Sequence, residues 1–214
     1  MHNTPVTPAV GYALPAQFSL MPLSLDISGE ENAPSPQPAS GQYCVCCGYR
    51  AHKLWQRRTC DTVQPVCTLC YLTTHLDSPT AAHARLAWLP GLTRVSALHL
   101  QRQALLAVLT GEKAQRRDGR RLWRWMVCHA RDVERAWGTA RAGEFAAALA
   151  RLPPSRRPRL QHRLDGCVPL FPPAVFDDLT LLLPAGKTAA QALTSWSFPR
   201  YCRSDLYVEP YPLD

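Results

Sequence analysis

Apolar residues recur at helical spacing in the middle of the chain. Val95, Leu98, Leu105, Leu106 and Leu109 fall on one face of a helix predicted from Arg94 to about Leu109. Thr93 is suited to cap its start, and Gly111 to close it from the C′ position. A second helix is predicted over Asp118–Trp137, where Leu122, Met126, Val133 and Trp137 recur at steps of four or seven and Trp125 widens the stripe. Gly138 is its expected stop. Thr139 is the expected cap of a third helix that runs through Leu152 and ends at Pro153–Pro154.

Outside this helical centre the pattern is shorter. Phe18–Ile27 roughly alternates apolar and polar residues and predicts a strand, which Pro22 confines to a sheet edge. Ser28–Gln42 has the composition of a linker. Leu86–Pro90 predicts a short strand ending at Pro90. Residues 155–172 form a basic connection broken by prolines, and Ala174–Leu183 and Thr188–Trp196 predict two short helices, the second capped by Thr188. From Pro199 onward the chain is rich in Tyr and Pro and predicts an extended tail. The resulting division is a Pro-rich arm over residues 1–42, a cysteine-bearing module over 43–92, a helical region over 93–152, and a Pro-rich connection with short helices and tail over 153–214. Short strands beside a helical layer make the fold class α+β.

Composition and charge narrow the function classes. With 214 residues, 46% of them hydrophobic and 19% charged, a buried core is feasible. The apolar runs, such as Ala104–Leu109, stop far short of the ~20 residues that cross a bilayer, so no membrane span is expected. No Lys or Arg precedes Arg50, so the positive start of a secretory signal is missing and a cytoplasmic protein is expected. The net charge is +8, and residues 112–163 hold most of the excess, with fourteen bases against five acids. Both ends are mildly acidic. A basic centre favours acidic partners: nucleic acid, an anionic membrane surface or an acidic protein segment. Arg116, Arg117, Arg120, Arg121 and Arg124, interleaved with Trp123 and Trp125, form its densest part. They predict either an anion-binding face or a plain solvated helix face. A second cluster, Arg156, Arg157, Arg159 and Arg163, is expected on an exposed loop.

The candidate chemistry lies in the cysteines. There are nine, and Cys44-x2-Cys47 and Cys67-x2-Cys70 are separated by nineteen residues. Each pair can place two thiolates on one ion from a tight turn, and the two turns together close a tetrahedral four-sulfur shell. Four soft thiolates with no vacant position predict one structural Zn2+ held by Cys44, Cys47, Cys67 and Cys70. Gly48 fits the turn after the first pair. Cys46 could replace one ligand by chelating with Cys44, and Cys60 lies between the pairs; both are otherwise small buried filler, as Cys128, Cys167 and Cys202 are expected to be. A redox CxxC would need a thioredoxin-like βαβ context that this stretch does not offer.

Paired knuckles of this kind occur in zinc ribbons, treble clefs and HNH-type nucleases. A nuclease needs a His general base and a second metal. Only His52 lies between the knuckles, and His75 and Asp77 follow the second. Over residues 43–152 the chain resembles the IcmJ/DotN family of type IVB secretion systems. The resemblance is carried by CVCCGYRA (Cys44–Ala51), then CTLC (Cys67–Cys70), then LAWLPGLT (Leu86–Thr93) leading into a helix. It implies a zinc-binding, HNH-like fold without nuclease activity, working in the coupling complex with the coupling ATPase at the inner membrane.

Three functions follow. A non-catalytic adaptor of a secretion or conjugation coupling complex is the preferred one, and it predicts a stable complex with a coupling ATPase and little DNA binding. A nucleic-acid-binding zinc protein predicts binding to random duplex DNA that weakens steeply with salt. A degenerate HNH nuclease predicts metal-dependent cleavage lost on His52→Ala or His75→Ala.

Overall fold

The computed structural model describes residues 20–25, 36–39, 42–58 and 62–194. Among them the fold is α+β, with two small antiparallel sheets set against a helical layer. The first sheet has the order β1 (Gln37–Pro38), β2 (Lys53–Arg58), β3 (Val63–Val66), and Trp55 stands opposite Val66 in the β2–β3 hairpin. Pro65 is tolerated because β3 is an edge strand. Two short helices follow, α1 (Thr68–Thr73) and α2 (Pro79–Ala82). The second sheet pairs β4 (Arg85–Trp88) with β5 (Cys167–Leu170), Arg85 opposite Leu170.

Between those two strands the chain builds the helical layer: α3 (Arg94–Thr110), α4 (Lys113–Cys128), α5 (Ala130–Trp137), α6 (Ala142–Arg151) and α7 (Arg157–Arg163). A last helix, α8 (Ala189–Leu193), packs on α3. Thr93 caps α3 as expected, its Oγ1 accepting from the Ser96 N–H at 3.1 Å. Leu98, Leu105 and Leu106 of α3 and Leu122 and Met126 of α4 are all fully buried. Each such side chain stabilises the fold by roughly 1.5–3 kcal/mol on leaving water.

Several elements differ from expectation. Leu20–Leu25 of the anticipated edge strand form none; Leu23 is buried in the core, and the backbone of Ser24 bonds Thr73 and Leu76 at the end of α1. The short edge strand is instead β1, inside the stretch with linker composition. The long second helix starts earlier, at Lys113, where the Glu112 N–H donates to Gln115 Oε1 at 2.9 Å. It breaks at His129, whose N–H tightens onto the Met126 carbonyl. Gly138 ends α5 in the left-handed region, as expected.

Gly111 does not take the left-handed conformation. Its φ is −70°, and glycine is required there because a Cβ would stand 2.5 Å from the Ala107 carbonyl oxygen. Thr139 does not cap the third helix directly: α6 begins at Ala142, and Thr139 Oγ1 accepts from the Arg141 N–H. The basic connection holds a helix and a strand. Pro158 sits in the first turn of α7, where a missing N–H costs nothing, so the second arginine cluster is largely helical rather than loop. The first of the two late helices is a pair of 3-10 turns, Pro173–Val175 and Leu179–Leu181, and the second is α8 with Thr188 as its cap. The anticipated tail beyond Pro199 lies outside the described residues.

No helix among the described residues is long and apolar enough to cross a membrane.

Candidate metal centre

The site is assembled by three local devices. The first knuckle turns over Val45–Cys47, and the chain comes back on itself through Gly48, whose φ of +69° strongly favours glycine. The Gly48 N–H donates to the Cys44 carbonyl at 2.8 Å, and the Cys44 N–H to that of Tyr49 at 2.9 Å. The β2–β3 hairpin then delivers the chain to the second knuckle. There Cys67 is the N-cap of α1 and Cys70 lies in its first turn, so helical geometry brings both thiols to the same side. A hydrogen bond from the Val45 N–H to the Pro65 carbonyl, 3.0 Å, ties the first knuckle to β3.

The four sulfurs of Cys44, Cys47, Cys67 and Cys70 all lie within 4.8 Å of one another, and all four residues are buried. Cys47 Sγ and Cys67 Sγ are 3.6 Å apart. A tetrahedron with metal–sulfur bonds of ~2.3 Å has edges of about 3.8 Å, so the spacing suits a single ion held by four thiolates. The predicted ligand set is thus brought together and could hold one metal ion. Cys46 is buried beside it but is not one of the four. Contact with the Cys44 and Cys70 sulfurs outweighs burial and draws the Cys46 thiol down to about 4. Cys128 and Cys167 are buried away from the group, and Cys60 and Cys202 lie outside the described residues.

Around the sulfurs stands a shell that sequence reasoning did not identify. Arg102, on α3, is 1% exposed, and its Nη2 donates to Cys67 Sγ at 2.9 Å. Its guanidinium lies 3.6 Å over the ring of Tyr49. Among the described residues it has no carboxylate partner. A buried cation without a counter-charge is costly enough that the sulfur cluster must supply one. Burial pulls Arg102 toward losing its proton, but the Cys67 sulfur, Tyr49 and the other sulfurs outweigh it and hold it firmly protonated. Burial and Cys44 push the Cys67 thiol up, but the Cys47 and Cys70 sulfurs, joined by Arg102, bring it below the ordinary thiol value. Four thiolates around one divalent ion carry a net charge of −2, and Arg102 offsets part of it. Neighbouring sulfurs and burial push the Cys47 and Cys70 thiols up instead, so a bound divalent ion is what would leave all four deprotonated, and the buried cation fits that state.

His99 completes the shell. Burial, reinforced by Arg102, holds it below the ordinary histidine value, so it is neutral at pH 7. Its Nε2–H donates to the Cys47 carbonyl at 3.0 Å, which leaves Nδ1 as the acceptor facing Arg102 Nη1 at 3.5 Å. Tyr49, pushed up to about 12 chiefly by burial, donates its hydroxyl to the Leu182 carbonyl at 2.9 Å. The segment around Leu182 also closes over the knuckle through the backbone: the His52 N–H reaches Leu183, and the Ala185 N–H reaches Arg50. One signal was available for Arg102. It stands four residues after Leu98 and three before Leu105, a charged residue inside an apolar stripe.

The nuclease candidates do not converge. His52 is exposed at the start of β2, whereas His75 is buried in an aromatic stack, 3.7 Å from the Tyr71 ring, with Nδ1 2.7 Å from the Tyr71 carbonyl. Among the described residues the four cysteines are the one group of three or more His, Cys, Asp or Glu placed to share an ion. No family model matches this chain, and no curated protein matches it as a relative.

Proposed function

We propose that this chain is a non-catalytic, zinc-stabilised adaptor that docks on the coupling ATPase of a type IV secretion or conjugation complex, in the manner its likeness to IcmJ/DotN implies. The observation that carries the non-catalytic part is the closure of the centre. Cys44, Cys47, Cys67 and Cys70 are each 0–2% exposed, so an ion among them has no open position for substrate. Zinc is the ion of choice for four thiolates with no redox task. It would contribute on the order of 10–16 kcal/mol to holding the module, as much as a typical domain's whole stability. The order knuckle, hairpin, helix, with the second ligand pair at the helix start, supports an HNH or treble-clef-like module.

The surface above the centre supports docking. Tyr43 is 52% exposed and Val45 36%, and these two flank the ligand Cys44. Val63, 56% exposed, stands on β3 two residues from Pro65, to which Val45 is bonded. An exposed aromatic side chain such as Tyr43, held by a tight turn, is a usual anchor of a protein interface, and the two valines would add apolar area around it. Working in the cytoplasm, the adaptor would reach the inner membrane through its partner.

Affinity capture of the tagged full chain from its native host, followed by mass spectrometry, tests this. A coupling ATPase should be recovered with the wild type and lost with Tyr43→Asp/Val45→Asp at unchanged metal content. Recovery without the ATPase contradicts the proposal.

A further inference from the structure

Helix α4 carries a second surface, separate from the metal centre. Lys113, Arg116, Arg120 and Arg124 lie at steps of three and four along it, with Arg117 beside Arg116, and all five are exposed. With Ala114 they line an open groove of about 800 Å3. Arg117 is paired with Asp118 at 3.2 Å. Arg116, Arg120 and Arg124 have no carboxylate partner among the described residues. The opposite face of the helix, Leu122 and Met126 with Gly119 between helices, is buried against α3, so α4 is anchored with its cations turned outward.

We infer that this stripe on α4 binds the phosphate backbone of duplex DNA without regard to sequence. Two features favour a phosphate backbone over a protein segment. The first is the absence of an apolar centre. The large hydrophobic residues that are exposed among the described residues, Met21, Tyr43, Val45, Val63 and Trp88, all lie outside α4. A protein interface relies on such anchors, whereas a nucleic-acid backbone is held by charge along its length. The second is length. The eleven steps from Lys113 to Arg124 cover about 16 Å at ~1.5 Å per residue. A DNA strand carries a phosphate every ~3.4 Å of axis, so about five phosphates pass along five cations. Arginine forks suit phosphate oxygens, and none of these side chains is built into a base-reading arrangement with an exposed aromatic. A face buried on α3 also leaves no apolar side to insert into a lipid surface. This goes beyond the adaptor reading and replaces its expectation of little DNA binding, while recovery of a coupling ATPase stays that reading's own test.

The test is fluorescence anisotropy of a labelled random 24-base-pair duplex with the metal-loaded full chain. With Lys113, Arg116, Arg120 and Arg124 engaged and Arg117 held by Asp118, log K should fall against log salt with a slope of about −3.6. That is about a 150-fold loss between 50 and 200 mM salt. Arg116→Gln/Arg120→Gln/Arg124→Gln should lower the slope to about −1, at wild-type metal content and melting temperature. The corresponding triple Lys variant should keep the slope, and Arg156→Gln/Arg159→Gln should leave binding unchanged. A wild-type slope shallower than about −1, or a Gln triple variant that binds like wild type, overturns the inference. So does stronger competition by polyglutamate or phosphatidylserine vesicles than by unlabelled DNA. Such a failure leaves the adaptor reading standing, because that reading is tested by recovery of a protein complex.

Discussion

Replacing Arg102 by methionine keeps most of the side chain's length and removes its charge. In the metal-loaded protein this deletes a charge-assisted hydrogen bond of 2.9 Å to Cys67 Sγ and a cation stacked 3.6 Å over Tyr49. It leaves the anionic cluster buried without its counter-charge. Removing one partner of a buried ion pair costs about 3–5 kcal/mol. If that loss falls on the metal-bound state, the affinity for zinc drops by roughly two to three and a half orders of magnitude. Without metal the cluster takes up some protons, Cys47 and Cys70 being pushed up while Cys67 stays low, so Arg102 keeps a weaker counter-charge. Arg102→Met should therefore cost the metal-free protein clearly less than the loaded form. Chelator competition measures the first effect, and melting of the loaded and stripped forms measures the second. Equal destabilisation of both forms, or zinc affinity within threefold of wild type, would refute the account of Arg102 as counter-charge.

Cys67→Ser should lower metal content and solubility together, read by metal analysis and sedimentation; unchanged metal content and melting count against Cys67 as a ligand. Cys46→Ser should leave metal stoichiometry unchanged, and a loss of bound metal would instead make Cys46 a ligand. Gly111→Ala forces a Cβ against the Ala107 carbonyl oxygen at 2.5 Å and should lower stability by about 1–3 kcal/mol in urea unfolding, the usual cost of overpacking. No change would mean that the turn between α3 and α4 relaxes freely.

What could be read from the chain was local. The four cysteines, the glycine that turns the first knuckle, and the caps at Thr93 and Thr188 act over a few residues, and their spacing alone carries the geometry. The start of α4 was missed because its first turns are exposed and polar, leaving no apolar stripe to mark them. β5 was missed because CVPL contains a proline and finds its partner about eighty residues earlier, at β4. β1 was missed because two residues pair through the backbone alone, in a stretch whose composition is that of a linker. Around the site, Arg102, His99 and Tyr49 were hidden for a related reason. Their roles come from α3 crossing the knuckle, a tertiary contact that no spacing within one element encodes. The interruption of the α3 stripe by Arg102 was the one local trace of it.

On the proposed reading, four buried thiolates close around one zinc ion and shape residues 43–92. Native mass spectrometry of the full chain purified without added metal, combined with elemental analysis, decides whether they do. One zinc per chain, released on denaturation as Cys44, Cys47, Cys67 and Cys70 become reactive alongside the other buried cysteines, is the expected result. A chain that carries no metal and remains folded, with those thiols unprotected, would contradict it.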